Sequence, residues 1–414
     1  MIFTEITLEE LKNHQEKNSH RYFFQQSHEY KSLSDSNNLK SVILGVKIDN
    51  EIVAYGIFIY FKYKKFFYKV TAQYGPIMDY NNEELSNFYF KNVKDYFAKD
   101  IRVLAVRVNP FINEKLFEDV KEIGENSISG NVHRKLKVLG FNNMNEDLFT
   151  NPTLASRCVF SKELTNINKS NLLKNVSQIA RYTINKTIKE GVIVREIDIF
   201  NEDDAKIFDS INRDTEKRIN FEIRDNNYFK SVKSILGDKF KLMLSYIDCD
   251  LFINNTNDTI DKLVAEKVDL ANKLNEGKVN QKKTINKLKE LEENITIWKN
   301  KIDKIEKLKE EEGNIINLSC ASFVESGEDL IYFTSGAYQK FNRFEGPYAI
   351  TYYMMNYALD KGFKYYNFFG TSSDLSENST DYKVLQFKRN FNGNVEWFMD
   401  NYEIRNRIGK FWKV

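Results

Sequence analysis

The chain has 414 residues, which at about 100–200 residues per domain allows two to three globular units. Hydrophobic residues make up 42% and aromatics 14%, enough for packed cores and against global disorder. Lys and Arg number 61 against 59 Asp and Glu, so net charge points to no nucleic-acid partner and any basic surface must come from local clustering. Cys158, Cys249 and Cys320 are scattered, with no disulfide framework and no zinc spacing, which suits a reducing cytoplasm. The first residues lack the basic and apolar regions of a signal peptide, and no run of about 18 apolar residues is present to span a membrane.

In chain order, Thr7 to Glu10 reads as a capping box that starts a short helix ending near Glu16. The runs 42–48 and 52–61 are β-branched and aromatic, split by Asp49-Asn50, and predict a hairpin; 66–71 predicts a third strand. Residues 82–99 form an amphipathic helix with Leu85, Phe88, Tyr89, Val93 and Phe97 on one face, followed by a buried strand at 101–108. A similar order returns with strands at 240–247, 315–324 and 330–334, a helix through 348–359 after Gly346-Pro347, and a strand at 365–369. In each half a Gly-Pro precedes a helix and then a strand, which reads as a degenerate duplication of one α/β acyltransferase-like unit. Between about 258 and 312 the composition turns to Lys, Glu and Asn without proline, and apolar residues fall at steps of three and four from Ile260 to Leu274 and from Ile285 to Leu308. Gly277 lies between the two runs and suits a turn, so an antiparallel helical hairpin inserted between two strands is expected; a dimerisation coil fits the same pattern.

The usual catalytic signatures are missing. His14, His20, His28 and His133 form no metal spacing and pair with no nucleophile motif. No P-loop or dinucleotide fingerprint occurs, and Gly75-Pro76 cannot serve as a coenzyme A phosphate loop because proline lacks an N–H. Three basic segments remain. Arg181, Lys186 and Lys189 lie on a helix ending at Gly191, with Ile184 and Ile188 expected toward the core and the cations free for a diphosphate or an RNA backbone. Lys388 and Arg389 lie among aromatics, where a lysine beside rings can donate to a developing oxyanion or simply pack. The tail from Arg405 through Lys413 suits RNA or an acidic membrane surface. The plainer readings are a solvated helix face for the first segment, a cation packed on rings for the second and a plain basic tail for the third.

The block from Ala337 through Gly346-Pro347-Tyr348-Ala349 to Asn367-Phe368-Phe369-Gly370 resembles the FemA/FemB/FemX/MurM peptidoglycan bridge-forming transferases. So do Gly75-Pro76 with Asp79-Tyr80, the segment Phe24 to Ser27, and Phe387-Lys388-Arg389. The resemblance covers nearly the whole chain. It implies an α/β (α+β) fold of two GNAT-like subdomains, 1–165 and 166–256 with 313–414, and a coiled-coil arm at 257–312, the C-terminal tail returning to the first subdomain. It implies transfer of Gly, Ser or Ala from aminoacyl-tRNA, the co-substrate, to an amine of the stem peptide or growing bridge on the lipid-linked precursor at the inner membrane surface. No other cofactor and no metal is expected. The resemblance places Lys186 at a cation on the donor-to-sugar diphosphate and Lys388, after Phe387, at a lysine that assists transfer. Asp79 and Tyr348 are expected to shape the cleft, and Arg181, Lys189 and Arg389 to bind substrate; a structural Asp and a core Tyr are the plainer readings.

The sequence departs from the family pattern at Tyr74, where relatives often carry Arg before Gly-Pro, at Asn109-Pro110, where Asp-Pro is common, and at Lys31, which is out of register with a family lysine. These departures bear on acceptor contacts in the first unit and suit a member that alters bridges for resistance. Rival readings are a GNAT-type N-acyltransferase using acyl-CoA and a non-enzymatic RNA-binding scaffold. Pairing with a second copy or with a related transferase stays open.

Overall fold

The computed structural model describes residues 1–18, 20–148, 151, 153–219 and 223–412. The first unit runs β1 (Ile2–Glu5), α1 (Leu8–Lys17), α2 (His28–Ser36), β2 (Ser41–Ile48), β3 (Glu51–Tyr63), β4 (Phe67–Ala72), β5 (Ile77–Met78), α3 (Glu83–Ala98) and β6 (Val103–Val108). The Thr7–Glu10 capping box starts α1 as expected, and the Asn82 side chain caps α3 by accepting from the Leu85 N–H at 3.0 Å. Strands β2, β3 and β4 pair antiparallel, and α3 then carries the chain over the sheet so that β6 pairs parallel to β4. Leu85, Tyr89, Phe90, Val93 and Phe97 of α3 bury against Phe58, Val70, Val106 and Val108. Phe88 is only partly buried; Phe90 takes its place.

Next come β7 (Asn113–Glu118), β8 (Lys121–Glu125), α4 (Ser127–Leu139), β9 (Asn142–Asn143) and β10 (Cys158–Glu163), then α5 (Gln178–Lys189), β11 (Val192–Glu196), α6 (Glu202–Ile219), α7 (Asn226–Leu236) and β12 (Phe240–Asp248). The arm is α8 (Cys249–Asn275) and α9 (Gln281–Glu312), and β13 (Ile315–Ser326), β14 (Asp329–Ala337), α10 (Gly346–Lys361) and β15 (Tyr365–Thr371) follow. The chain closes with α11 (Tyr382–Arg389), β16 (Asn394–Phe398), β17 (Tyr402–Arg405) and α12 (Arg407–Phe411). Here β12, β13 and β14 pair antiparallel and α10 crosses to a parallel β15. The order of the first unit is thus repeated, and the protein is a tandem of two GNAT-like units. The sheets interlock: β7, β8 and β10 from the 1–165 segment lie in the second sheet, and β17 lies in the first between β6 and β9.

The arm leaves the sheet where Asp248 and Ile315 are paired, so a long insertion begins and ends at one point. Its helices run antiparallel, with ion pairs Lys309–Asp250 near the base and Lys267–Glu292 farther out. Ile260, Leu291, Ile295 and Ile305 bury along the seam, but Ile285 is 44% exposed and the seam passes through Thr284 instead. The arm also starts earlier than composition suggests, because Cys249 and Phe252 already pack into its base. Among the described residues no helix is long and apolar enough to cross a membrane.

Candidate active site

The two units differ at their parallel strand pairs. In the first, β4 and β6 stay paired from Tyr68 to Ala72. In the second, β14 and β15 pair only from Asp329 to Ile331 and then part. On its other side β15 also breaks register with β10 between Val159 and Ser161, and Phe369 sits at φ +60°, a left-handed conformation that is uncommon for a side chain of this size. The strand end has thus left β14 while Gly370 and Thr371 stay paired with Val159 and Cys158 of β10, and its carbonyls on the parted side call for side-chain donors.

Lys388 supplies them. Its ammonium donates to Gly370 O at 2.6 Å and Phe369 O at 3.2 Å, and the residue is 5% exposed. Burial lowers its pKa to about 8, with Asp381 pulling the other way. An ammonium has three donors and two are used, so one N–H is left to offer. Phe387 turns to the other side of α11, edge-on to Tyr348 with ring centroids 5.0 Å apart and 5.4 Å from Phe391. The Tyr348 hydroxyl accepts from Asn390 Nδ2 at 2.8 Å, which ties the start of α10 to the end of α11. Gly346, just before it, has no room for a side chain: a Cβ there meets Ser245 Oγ at 2.5 Å and Ser319 Oγ at 2.7 Å.

The remaining candidates are spread out. Arg389 forks onto Asp119 in the β7–β8 turn and lines an open polar hollow of about 440 Å³ with Gln386, Asn390 and Asn394. On α5 the buried face is Ala180, Thr183, Ile184 and Thr187; Ile188, expected inward, is 55% exposed. The α5 cations are not all free. Arg181 donates to Leu173 O at 2.7 Å, Lys186 donates to Arg343 O beside the start of α10, and Lys189 is exposed. Asp79 lies in the first unit, exposed, accepting from the Asn81 N–H at 2.9 Å in the turn before α3. The structure thus gathers Phe387, Lys388, Tyr348 and Arg389 around α11, places Lys186 near Glu345 at the other side of α10, and leaves Asp79 apart from both.

The Gly75-Pro76 segment meets the N-terminal Gln-Ser motif directly. Gln26 is fully buried, accepts from the Ile57 N–H at 2.8 Å and donates to Gln73 O at 2.7 Å. A Cβ on Gly75 would come within 2.6 Å of its amide. Tyr74, the departure from the family pattern, is 1% exposed and its hydroxyl accepts from the Ser156 N–H at 3.1 Å, so it cements the junction between the units and is not open to a ligand. In the tail, Trp412 packs edge-on against Phe67, 4.9 Å between ring centroids, with Lys64 over its ring; Lys413 lies outside the described residues.

Sequence reasoning missed two residues of interest. Asp381 has no family signal, and its role shows only when β15 and α11 are seen together. Lys162, 3% exposed, donates to Asn175 O at 2.7 Å and has its pKa lowered by burial to about 8, like Lys388. A lone lysine in a run of strand residues was the available hint.

The chain is a tandem of two units of one strand and helix order, with a buried lysine at the parted strands of the second. The FemAB family model matches residues 6–411, and the chain belongs to this family. Aminoacyltransferase FemA of Staphylococcus epidermidis is 28% identical over 403 residues, covering 97% of this chain and 95% of that protein. Aminoacyltransferase FemA of Staphylococcus aureus is 27% identical over 403 residues, covering 97% and 94%. In fold, the crystal structure of FemX matches with a TM-score of 0.81 at 20% identity over the full length of both chains. The protein is an aminoacyltransferase.

Proposed function

We propose that the enzyme moves Gly, Ser or Ala from aminoacyl-tRNA to an amine of the stem peptide or growing cross-bridge of the lipid-linked peptidoglycan precursor, working peripherally at the inner face of the membrane. The observation that carries this reading is the Lys388 ammonium, buried, fixed by two carbonyls of the parted strand and retaining one donor. An aminoacyl ester is already activated, so the protein has only to align the two substrates and stabilise the oxyanion. The neutral acceptor amine attacks the ester carbonyl carbon. The spare N–H of Lys388 donates to the oxyanion that forms. Collapse breaks the bond to the ribose oxygen, which takes the proton released by the amine, and an amide remains. On the opposite side of α11, Phe387 packs edge-on against Tyr348 and fixes the helix that carries Lys388 against α10. Lys186 and Lys189 are assigned to phosphate: Lys189 is exposed, and Lys186 uses one donor on Arg343 O and keeps two.

The test is mass analysis of lipid-linked precursor analogues bearing zero to several bridge residues, incubated with tRNA charged separately with Gly, Ser and Ala. One added aminoacyl unit names donor and acceptor. Lys388→Ala is expected to lower kcat by about 10²–10³-fold, the size of a lost oxyanion donor. Near-normal turnover in that variant removes Lys388 from the mechanism, and no transfer with any pair removes the reaction.

A further inference from the structure

The carboxylate of Asp381 stands at the start of α11 yet caps none of that helix's own N–H groups. Its Oδ2 instead accepts from Thr371 Oγ1 and from the Ser372 N–H, both at 2.8 Å, and its Oδ1 accepts from Ser379 Oγ at 2.6 Å. Two turns along the same helix, Lys388 holds the carbonyls of Phe369 and Gly370. Four consecutive residues at the end of β15 are therefore gripped by one helix, the first pair by a cation and the second pair by an anion. We propose that Asp381 is a positioning residue for Lys388, locking the strand end to α11 and holding the ammonium in its charged form where the oxyanion develops. The proposal rests on the reading of Lys388 given above.

The electrostatics agree. Burial drives Lys388 toward its neutral form, and Asp381 is the charge that opposes this. Of the other titratable groups around this corner, the buried Asp147 carboxylate acts on the Cys158 thiol and the Tyr74 hydroxyl. The Cys158 thiol on β10, the Tyr74 hydroxyl from the first unit and the Tyr348 hydroxyl on α10 are all pushed up by burial and stay neutral. Arg389 is neutralised by Asp119. A lysine that must give a hydrogen bond to an anion has to keep its proton, and a buried lysine without a counter-charge loses it near neutral pH. A merely structural Asp381, anchoring the 372–381 loop, would affect folding but not the proton affinity of Lys388.

The test uses the full-length enzyme with isotope-labelled lysine, following the Lys388 side-chain resonance, assigned through Lys388→Arg, across pH in the wild type and in Asp381→Asn. The amide oxygen of Asn can still accept from Thr371 and Ser372, so the fold is kept while the charge is lost. The Lys388 midpoint is expected to fall by about one pH unit. The alkaline limb of kcat should move down by the same amount, with KM for the charged tRNA unchanged. In a Lys388→Arg background Asp381→Asn should leave the pH profile where it is, because arginine does not titrate. An unmoved Lys388 midpoint, or a limb that shifts in the arginine background too, overturns the proposal. If Lys388→Ala retains turnover, the catalytic reading of the lysine falls, and the resonance midpoint still decides whether Asp381 governs it.

Discussion

At the scale of single residues the chain carries two buried lysines with the same lowered pKa of about 8 and different prospects. Lys162 and Lys388 each bond two carbonyls, and each is disfavoured as a cation by burial. Lys162 joins Asn175 to Asn392 inside the second unit, whereas Lys388 sits where β14 and β15 have parted. A pH profile separates them. The acceptor amine must be neutral, so with the α-amine of a growing bridge as acceptor activity rises through a pKa of about 7.7–8.0. Lys388 must be protonated, so activity falls as pH rises through about 8. A narrow bell results. Lys388→Arg should lift the alkaline limb out of range at reduced kcat, and Lys162→Met should leave that limb in place, both read from single-turnover rates. A limb that follows Lys162 instead would exchange their roles. The family block pointed to Lys388 because it lies in a recognisable run. Lys162 and Asp381 were illegible because their meaning comes from partners 13 to 230 residues away for the one, and from the neighbouring strand for the other.

At the scale of elements, legibility followed periodicity. The hairpin at 41–63, the strands β12 and β13 and the crossover helices α3 and α10 were readable, the strands as unbroken apolar runs and the helices from their apolar faces. The strands β7, β8, β16 and β17 were not, being short and half polar and depending on partners from the opposite end of the chain. α5 misled for a related reason: its inner face uses Ala180, Thr183 and Thr187, so counting large apolar residues put Ile188 on the wrong side. Close packing at α10 gives a sharp test. Gly346→Ala pushes a methyl into the buried Ser245–Ser319 hydroxyl pair and should destabilise by about 1–3 kcal/mol. Gly130→Ala in α4 meets nothing within 4 Å and should be neutral or stabilise by up to about 1 kcal/mol through helix propensity alone. Denaturant melts of both decide, and equal effects would mean that the tight corner relaxes freely. The arm makes a third case. Replacing residues 261–300 by a short Gly/Ser loop keeps its packed base around Phe252 and Ile305 and leaves β12 paired to β13. The trimmed protein should fold with only a small loss of Tm; failure to fold would show that the outer arm is needed to form the sheet.

At the scale of the whole molecule, the exchanged strands and the Tyr74 junction are joined by a third link between the units, a row of polar residues crossing the second sheet. Asp329 on β14, Asn367 on β15, Ser161 on β10 and Glu396 on β16 lie on adjacent strands, and Arg21 from the first unit lies across them. Its guanidinium donates twice to Asp329 at 2.8 Å, donates to Glu396 at 2.5 and 2.8 Å, and sits 3.8 Å from the centre of the Tyr365 ring. One cation faces two buried carboxyls, and they respond differently. For Asp329 burial outweighs Arg21 and the pKa is raised; for Glu396 burial is outweighed by Arg21 and Ser161 together and the pKa is lowered. Arg21→Ala leaves two buried acids without a counter-charge and should cost about 3–5 kcal/mol at neutral pH. The pH dependence has a definite sign. Without Arg21 only the Ser161 bond to Glu396 and the Asn367 bond to Asp329 oppose burial, so both carboxyls rise, and the variant folds best while they are protonated and loses stability as pH rises through those raised values. The wild type loses the Glu396 contribution as pH falls through its lowered value. The gap between the two proteins should therefore narrow toward pH 4 and widen toward pH 7.5 in paired denaturation series. A gap that is the same at both ends would mean that Arg21 holds the units together by packing on Tyr365 and not by balancing charge.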